Sequence, residues 1–145
     1  MNHINISKQH PEVYKQVAAL SEAAGLAATS AGLDPQLIEL VKIRVSQING
    51  CAFCARLHTR DSIAAGETAD RLAVLSTWRE SQYFSATEEA ALGLAEEVTH
   101  LAPAQSGTVD THALTAEQVS AVTWLAITMA AWNRVAIRSG YRVAP

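Results

Sequence analysis

The feature that most constrains the fold is a repeated set of helix start and stop signals with no strand alternation between them. Asp34-Pro35 pairs an N-capping side chain with proline at the first helical position, where its missing N–H costs nothing. Ser85-Ala86-Thr87-Glu88 and Thr115-Ala116-Glu117-Gln118 both read as capping boxes. Asn49-Gly50, Gly66 and Gly140 stand where helical patterns stop. These signals predict a first helix from Pro11 through Val13, Val17, Leu20 and Ala24 toward Gly32. A second helix opens at Asp34-Pro35, with Leu37, Leu40, Val41, Val45 and Ile48 as its apolar stripe. A third runs from the Asn49-Gly50 turn to Gly66, and a fourth begins near Thr68 with Leu72, Leu75 and Trp78. The fifth carries Leu92, Leu94 and Val98. A polar loop from Pro103 to His112 precedes a long last helix ending near Arg138. The expectation is an all-α fold of about six helices, the second and third forming a hairpin.

A chain of 145 residues is long enough for one domain, residues 1–145, with its own core. Apolar residues make up 49% of it, with much alanine and few aromatics, which suits closely packed helices. That content has two explanations, an alanine-rich interior or a buried subunit interface. The net charge of −3, with Lys and Arg scattered, argues against a nucleic-acid surface. Met1 to Lys8 lacks the pattern of a signal peptide, and no apolar run reaches membrane length. A cytoplasmic location is the resulting expectation. In a reducing compartment a CxxC pair is more often redox-active or metal-bound than a structural staple.

Chemistry concentrates in Asn49-Gly50-Cys51-Ala52-Phe53-Cys54-Ala55-Arg56-Leu57-His58. It holds both cysteines, three residues apart, with a histidine four residues past the second. The pattern places Cys51 in the first turn of the third helix, so that Cys54 and His58 share its face. A helix N-terminus lowers thiol pKa values, and a dithiol needs one sulfur to attack and one to resolve. A structural disulfide, a zinc half-site and two ordinary buried cysteines are the alternatives. Zinc fits poorly, because Cys51, Cys54 and His58 on one rigid helix do not converge on a tetrahedral centre, and no second pair completes the set. Glu39 lies amid apolar residues, eleven residues before Gly50, so the hairpin would carry it toward His58. The spacing alone favours the other reading, a solvated Glu39 paired with Lys42 or Arg44. His3, His10, His100 and His112 read as surface or capping residues. Trp78, Trp124 and Trp132 read as core or interface, and Asn133 and Arg134 as groups that bond helix ends, cross an interface or lie exposed.

Glu39, Cys51-Ala52-Phe53-Cys54 and His58 together resemble the active-site pattern of alkylhydroperoxidase D (AhpD)-like proteins, of the carboxymuconolactone decarboxylase superfamily. The likeness extends through Glu39 to Gly50, His58-Thr59-Arg60-Asp61 and Ala131-Trp132-Asn133-Arg134, covering roughly residues 34–138. It implies an all-helical fold, a homo-oligomer (a trimer or hexamer), and thiol-dependent reduction of a hydroperoxide with a dithiol as electron donor. No cofactor and no metal are expected. It makes Cys54 the peroxidatic residue, Cys51 the resolving one, and Glu39 with His58 the proton relay. The best-characterised members carry a second histidine just before the second cysteine. Phe53 stands there in this chain and cannot relay protons. The decarboxylase branch lacks the cysteine pair.

Two arguments about the attacking sulfur oppose each other. Helix position favours Cys51, nearest the N-terminus. The reach of His58, one turn beyond Cys54, favours Cys54, because a leaving oxygen needs a proton from a nearby acid. The second argument agrees with the resemblance. The leading expectation is therefore a dithiol peroxidase. Next come a general thiol–disulfide oxidoreductase or redox sensor, and then a helical oligomer whose cysteines are incidental.

Overall fold

The computed structural model describes residues 3–104 and 107–145, and all of its regular structure is helical. In chain order the α-helices are α1 (Ile6–Gln9), α2 (Pro11–Ser30), α3 (Pro35–Asn49), α4 (Ala52–Ala64), α5 (Ala69–Ala73), α6 (Ala86–Thr99) and α7 (Ala116–Arg138). A short 3-10 helix, Leu75–Glu80, lies between α5 and α6. The expected all-α class is what is found, and the caps that announced it are made. The Asp34 side chain accepts from Gln36 N–H at the start of α3. Ser85 with Glu88 and Thr115 with Gln118 close both capping boxes.

Helix α3 is the centre of the molecule, packed against α4, α6 and α7. It is apolar on two faces, and each face fills a different cluster. Leu37, Val41 and Val45 pack with Ala91 and Ala95 of α6 and with Val122, Leu125 and Met129 of α7. Leu40 and Ile43 pack with Leu75, Trp78, Phe84 and Leu92. The alanines at these crossings remove side-chain bulk, so the helices approach closely while burying little volume per residue.

A polar link ties α7 to the end of α3. Asn133 is fully buried and donates from Nδ2 to Ser46 Oγ at 3.0 Å. Its Oδ1 accepts from Asn49 Nδ2 at 2.9 Å, and Ser46 Oγ in turn donates to Lys42 O at 2.8 Å. A second polar cluster joins α3, the 3-10 helix and α6 at Glu96. That carboxylate accepts from Arg44 Nε at 2.8 Å, from the Trp78 indole at 3.0 Å, and from Arg79.

Three differences from the sequence expectation have physical causes. The short α1 forms because Asn5 Oδ1 accepts from Ser7 and Lys8 N–H, and the Ser7 hydroxyl bonds Tyr141 at 2.6 Å. The expected fourth helix breaks at Val74, and its second half becomes the 3-10 helix that carries Trp78 to Glu96. The stripe expected on the first helix does not face inward throughout. Ala24 and Ala28 are buried, whereas Val13 and Leu20 are 63% and 42% exposed. Part of the apolar content therefore lies on the surface, with Leu26 of α2 and Trp124 and Ile127 of α7 also exposed. No helix among the described residues is long and apolar enough to cross a membrane.

Asn133→Ala is expected to leave Ser46 and Asn49 with a lost partner in a buried place, costing about 1–3 kcal/mol. Urea denaturation measures it, with helix content by circular dichroism as the control. A wild-type midpoint would show that the link contributes nothing.

Candidate active site

The site begins with the turn between α3 and α4. Gly50 adopts φ 70°, a left-handed conformation that a residue with a Cβ takes only at a cost. Gly50 N–H donates to Gln47 O and Cys51 N–H to Ser46 O, the two bonds of a Schellman motif. The chain turns sharply, and α4 starts at once. Cys51 is not in the first turn, as the pattern had suggested. Its backbone is extended at φ −88° and ψ 95°, and it is the N-cap. Its Sγ takes the place of a capping oxygen and accepts from Cys54 N–H at 3.2 Å. Both sulfurs are buried and are joined in a disulfide, with the Cα atoms 5.3 Å apart.

The hairpin carries Glu39 of α3 onto His58 of α4. Glu39 Oε2 lies 2.8 Å from His58 Nδ1. Lys42, one turn along α3, donates to the other oxygen, Oε1, at 3.0 Å. Glu39 is thus not the solvated residue that its spacing favoured: Lys42 and His58 hold its two oxygens, while Arg44 turns away to Glu96. All three side chains are largely buried, at 15% exposed for Glu39, 14% for His58 and 24% for Lys42. Burial by itself would raise the Glu39 pKa. The hydrogen bond to His58 and the charge and hydrogen bond of Lys42 outweigh it, so the carboxyl lies below its ordinary value of 4.5. An ionised Glu39 fixes the proton of a neutral His58 on Nδ1. Nε2 is then the ring nitrogen left for proton transfer.

Cys54 and His58 line one cavity of about 340 Å³, and Cys51 is not part of its wall. Lys42, Phe53 and Leu57 contribute from the hairpin, Tyr14 and Ser21 from α2, and Leu125, Met129, Trp132 and Ala136 from α7. The α7 positions recur at alternating steps of four and three, so they were visible as a helical stripe. Nothing in the sequence said that a cavity, rather than a packed partner, would face them. Trp132, expected in core or interface, is in the cavity wall. Trp78 is buried and Trp124 is exposed. His10 and His100 cap helix ends, and His3 and His112 are exposed.

Among the described residues, Glu39, His58 and exposed Asp61 could each offer a metal ligand, with the atoms within 4.8 Å of one another. The Lys42 ammonium on Glu39 opposes a cation there, and the His58–Glu39 hydrogen bond already uses the ligand atoms.

The site is thus a buried cysteine pair at a helix N-terminus, beside a carboxylate–histidine pair and an apolar cavity, in an all-helical fold. The carboxymuconolactone decarboxylase family model matches residues 11–97, more than half of the chain, and the protein belongs to that family. Uncharacterized protein YdfG of Bacillus subtilis is 38% identical over 111 residues, covering 73% of this chain and 75% of its own. The crystal structure of ATU0492 from Agrobacterium tumefaciens superposes with a TM-score of 0.82 at 32% identity, covering 100% of this chain and 99% of that one. ATU0492 is described as a protein of unknown function suggested to be the antioxidant defence protein AhpD. The chain is accordingly an AhpD-like member of the family.

Because the folded pKa of Glu39 is depressed, its ion pairs stabilise the protein fully above its unfolded pKa. That contribution is lost as pH falls through the folded value. The stability difference between wild type and Glu39→Gln is therefore expected to be largest near neutral pH and to shrink below 4.5. Lys42→Met should move the loss to higher pH. Urea titrations across the acid range measure both shifts, and a difference flat with pH would contradict the assignment.

Proposed function

We propose that the protein is a dithiol peroxidase that reduces a hydroperoxide at Cys54. The observation that carries this reading is that Cys54 and His58 share a cavity wall, while Glu39 holds His58 by Nδ1. In the reduced protein the Cys54 thiolate attacks the distal oxygen of ROOH. The O–O bond breaks, and the alkoxide leaves as ROH with the proton that His58 Nε2 had taken from the Cys54 thiol. Cys54 is then a sulfenic acid. The Cys51 sulfur attacks it, the S–S bond forms and hydroxide leaves as water. An external dithiol reduces the disulfide, so that ROOH and a dithiol become ROH, water and a disulfide. Glu39 keeps the imidazole oriented and the proton on the correct nitrogen, and Lys42 keeps Glu39 ionised. Phe53 takes no part in proton transfer, so the relay is Glu39, His58 and water.

The structural-staple alternative is weak on physical grounds. A bridge with a sequence separation of 3 closes a very short loop and removes little freedom from the unfolded chain. General thiol–disulfide exchange is the second reading, and one feature favours it. Cys51 Sγ at the N-cap accepts a backbone N–H, which makes its thiolate a good leaving group when an outside thiol attacks Cys54. The suggested antioxidant role of ATU0492 supports the first reading over the second.

Glu39→Gln and His58→Ala should each slow hydroperoxide turnover by roughly a hundredfold or more, with circular dichroism unchanged. The assay follows consumption of an organic hydroperoxide with a synthetic dithiol as donor. Wild-type rates in both variants would remove the pair from the mechanism. Absence of turnover in the wild type, with intact exchange of model disulfides, would favour the second reading.

A further inference from the structure

The cavity beside Cys54 is lined by four aromatic rings. Phe53 and Tyr141 meet edge to face, with centroids 5.2 Å apart and planes at 65°. Tyr14 and Trp132 meet in the same way, at 5.2 Å and 72°. All four belong to the one wall, with Leu57, Leu125, Met129 and Ala136 filling the rest.

Much of the polar lining is already satisfied by the protein. The Tyr141 hydroxyl bonds Ser7 at 2.6 Å, and the Thr128 hydroxyl donates to backbone carbonyls of its own helix. The Lys42 ammonium is held by Glu39. What remains for a ligand is mainly ring and aliphatic surface, with the Ser21 hydroxyl on the α2 side and Cys54 and the free side of His58 at the reacting end. Tyr14 and Leu57, the lining residues most exposed to solvent, mark the opening. A peroxide with little carbon gains almost nothing from such a wall. One carrying a ring exchanges water for apolar contact and gains further from edge-on aromatic packing.

We propose that this cavity is a subsite for an aromatic ring carried on the carbon bonded to the peroxide, and that Phe53 is its specificity-determining side chain. Phe53 sits next to Cys54 in the chain and shares the cavity wall with it. It therefore bounds the space a substituent must occupy once the peroxide reaches that sulfur. The proposal rests on the peroxidase reading for its reacting end, but the ring subsite itself can be tested without turnover.

Two measurements test it. The first is the ratio of kcat/KM for cumene hydroperoxide to that for its saturated analogue, 2-cyclohexyl-2-propyl hydroperoxide, and to that for hydrogen peroxide. The wild type should prefer the aromatic substrate over the saturated one by about two- to tenfold, the range of an aromatic contact beyond area burial. Its preference over hydrogen peroxide should be larger. Phe53→Ala should lower the cumene-to-hydrogen-peroxide ratio by about tenfold or more. Phe53→Leu, which keeps volume but not the ring, should remove the aromatic-over-saturated preference. The second is calorimetric binding of the product alcohol, 2-phenyl-2-propanol, to the oxidised protein, compared with its cyclohexyl counterpart. Tighter binding of the aromatic alcohol, lost in Phe53→Leu, supports the subsite even if no peroxide is turned over, in which case the peroxidase reading alone fails. Equal binding of the two alcohols, or ratios that do not move when Phe53 changes, would overturn the proposal.

Discussion

The left-handed turn at Gly50 is the constraint on which the site depends. Cys51 N–H and Gly50 N–H close it on the last turn of α3, and α4 begins without a linker. Three consequences follow. Cys51 is extended and caps α4 with its sulfur. Cys54 falls in the first turn, above it. Glu39, well back along α3, comes to lie over His58. A residue with a Cβ at position 50 would be strained whatever room surrounds it, and the strain would fall on the segment that aligns two sulfurs and an ion pair. Asn133 secures the same place from the opposite side, because its amide grips Ser46 and Asn49, the residues from which the turn departs.

Buried and half-buried carboxylates serve two purposes in this molecule, and their partners separate them. Glu96 is held by two guanidinium groups and an indole, and Glu67 by Arg71. Arginine does not give up its proton, so these clusters are fixed struts between helices. Glu39 is bonded instead to an imidazole, the side chain whose proton moves near neutral pH. The His58 partner of that carboxylate also reaches the cavity that holds Cys54. Similar burial and similar hydrogen bonding thus give a rigid joint in one place and, in the proposed reaction, a route for a proton in another.

The helices were legible because their signals are local. Asp34-Pro35, the two capping boxes and Gly50 act within a few residues of themselves, and the chain obeys each one. The meeting of Glu39 and His58 was legible only as the less favoured of two readings: counting along a tight hairpin allowed it, but nothing local said that Glu39 would be buried. The break at Val74 was not, because the Trp78 bond to Glu96 that accompanies it lies outside the local pattern. The partner of Arg44 was hidden for the same reason. Cys51 as N-cap rather than first-turn residue is a shift of one position that pattern alone does not resolve. The cavity was the least legible part. Leu125, Met129 and Trp132 form a good apolar stripe, and a stripe reads identically whether it meets a packed helix or an open space.

In the proposed reaction Cys54 is the sulfur that meets the peroxide, although Cys51 holds the better position at the helix end. Mass spectrometry after one equivalent of an organic hydroperoxide, applied to reduced Cys51→Ser and Cys54→Ser proteins, tests this directly. The expected result is a trapped sulfenic acid on Cys54 in the first variant and no reaction at a catalytic rate in the second. Sulfenic acid on Cys51 in the second variant, with none on Cys54 in the first, would contradict it.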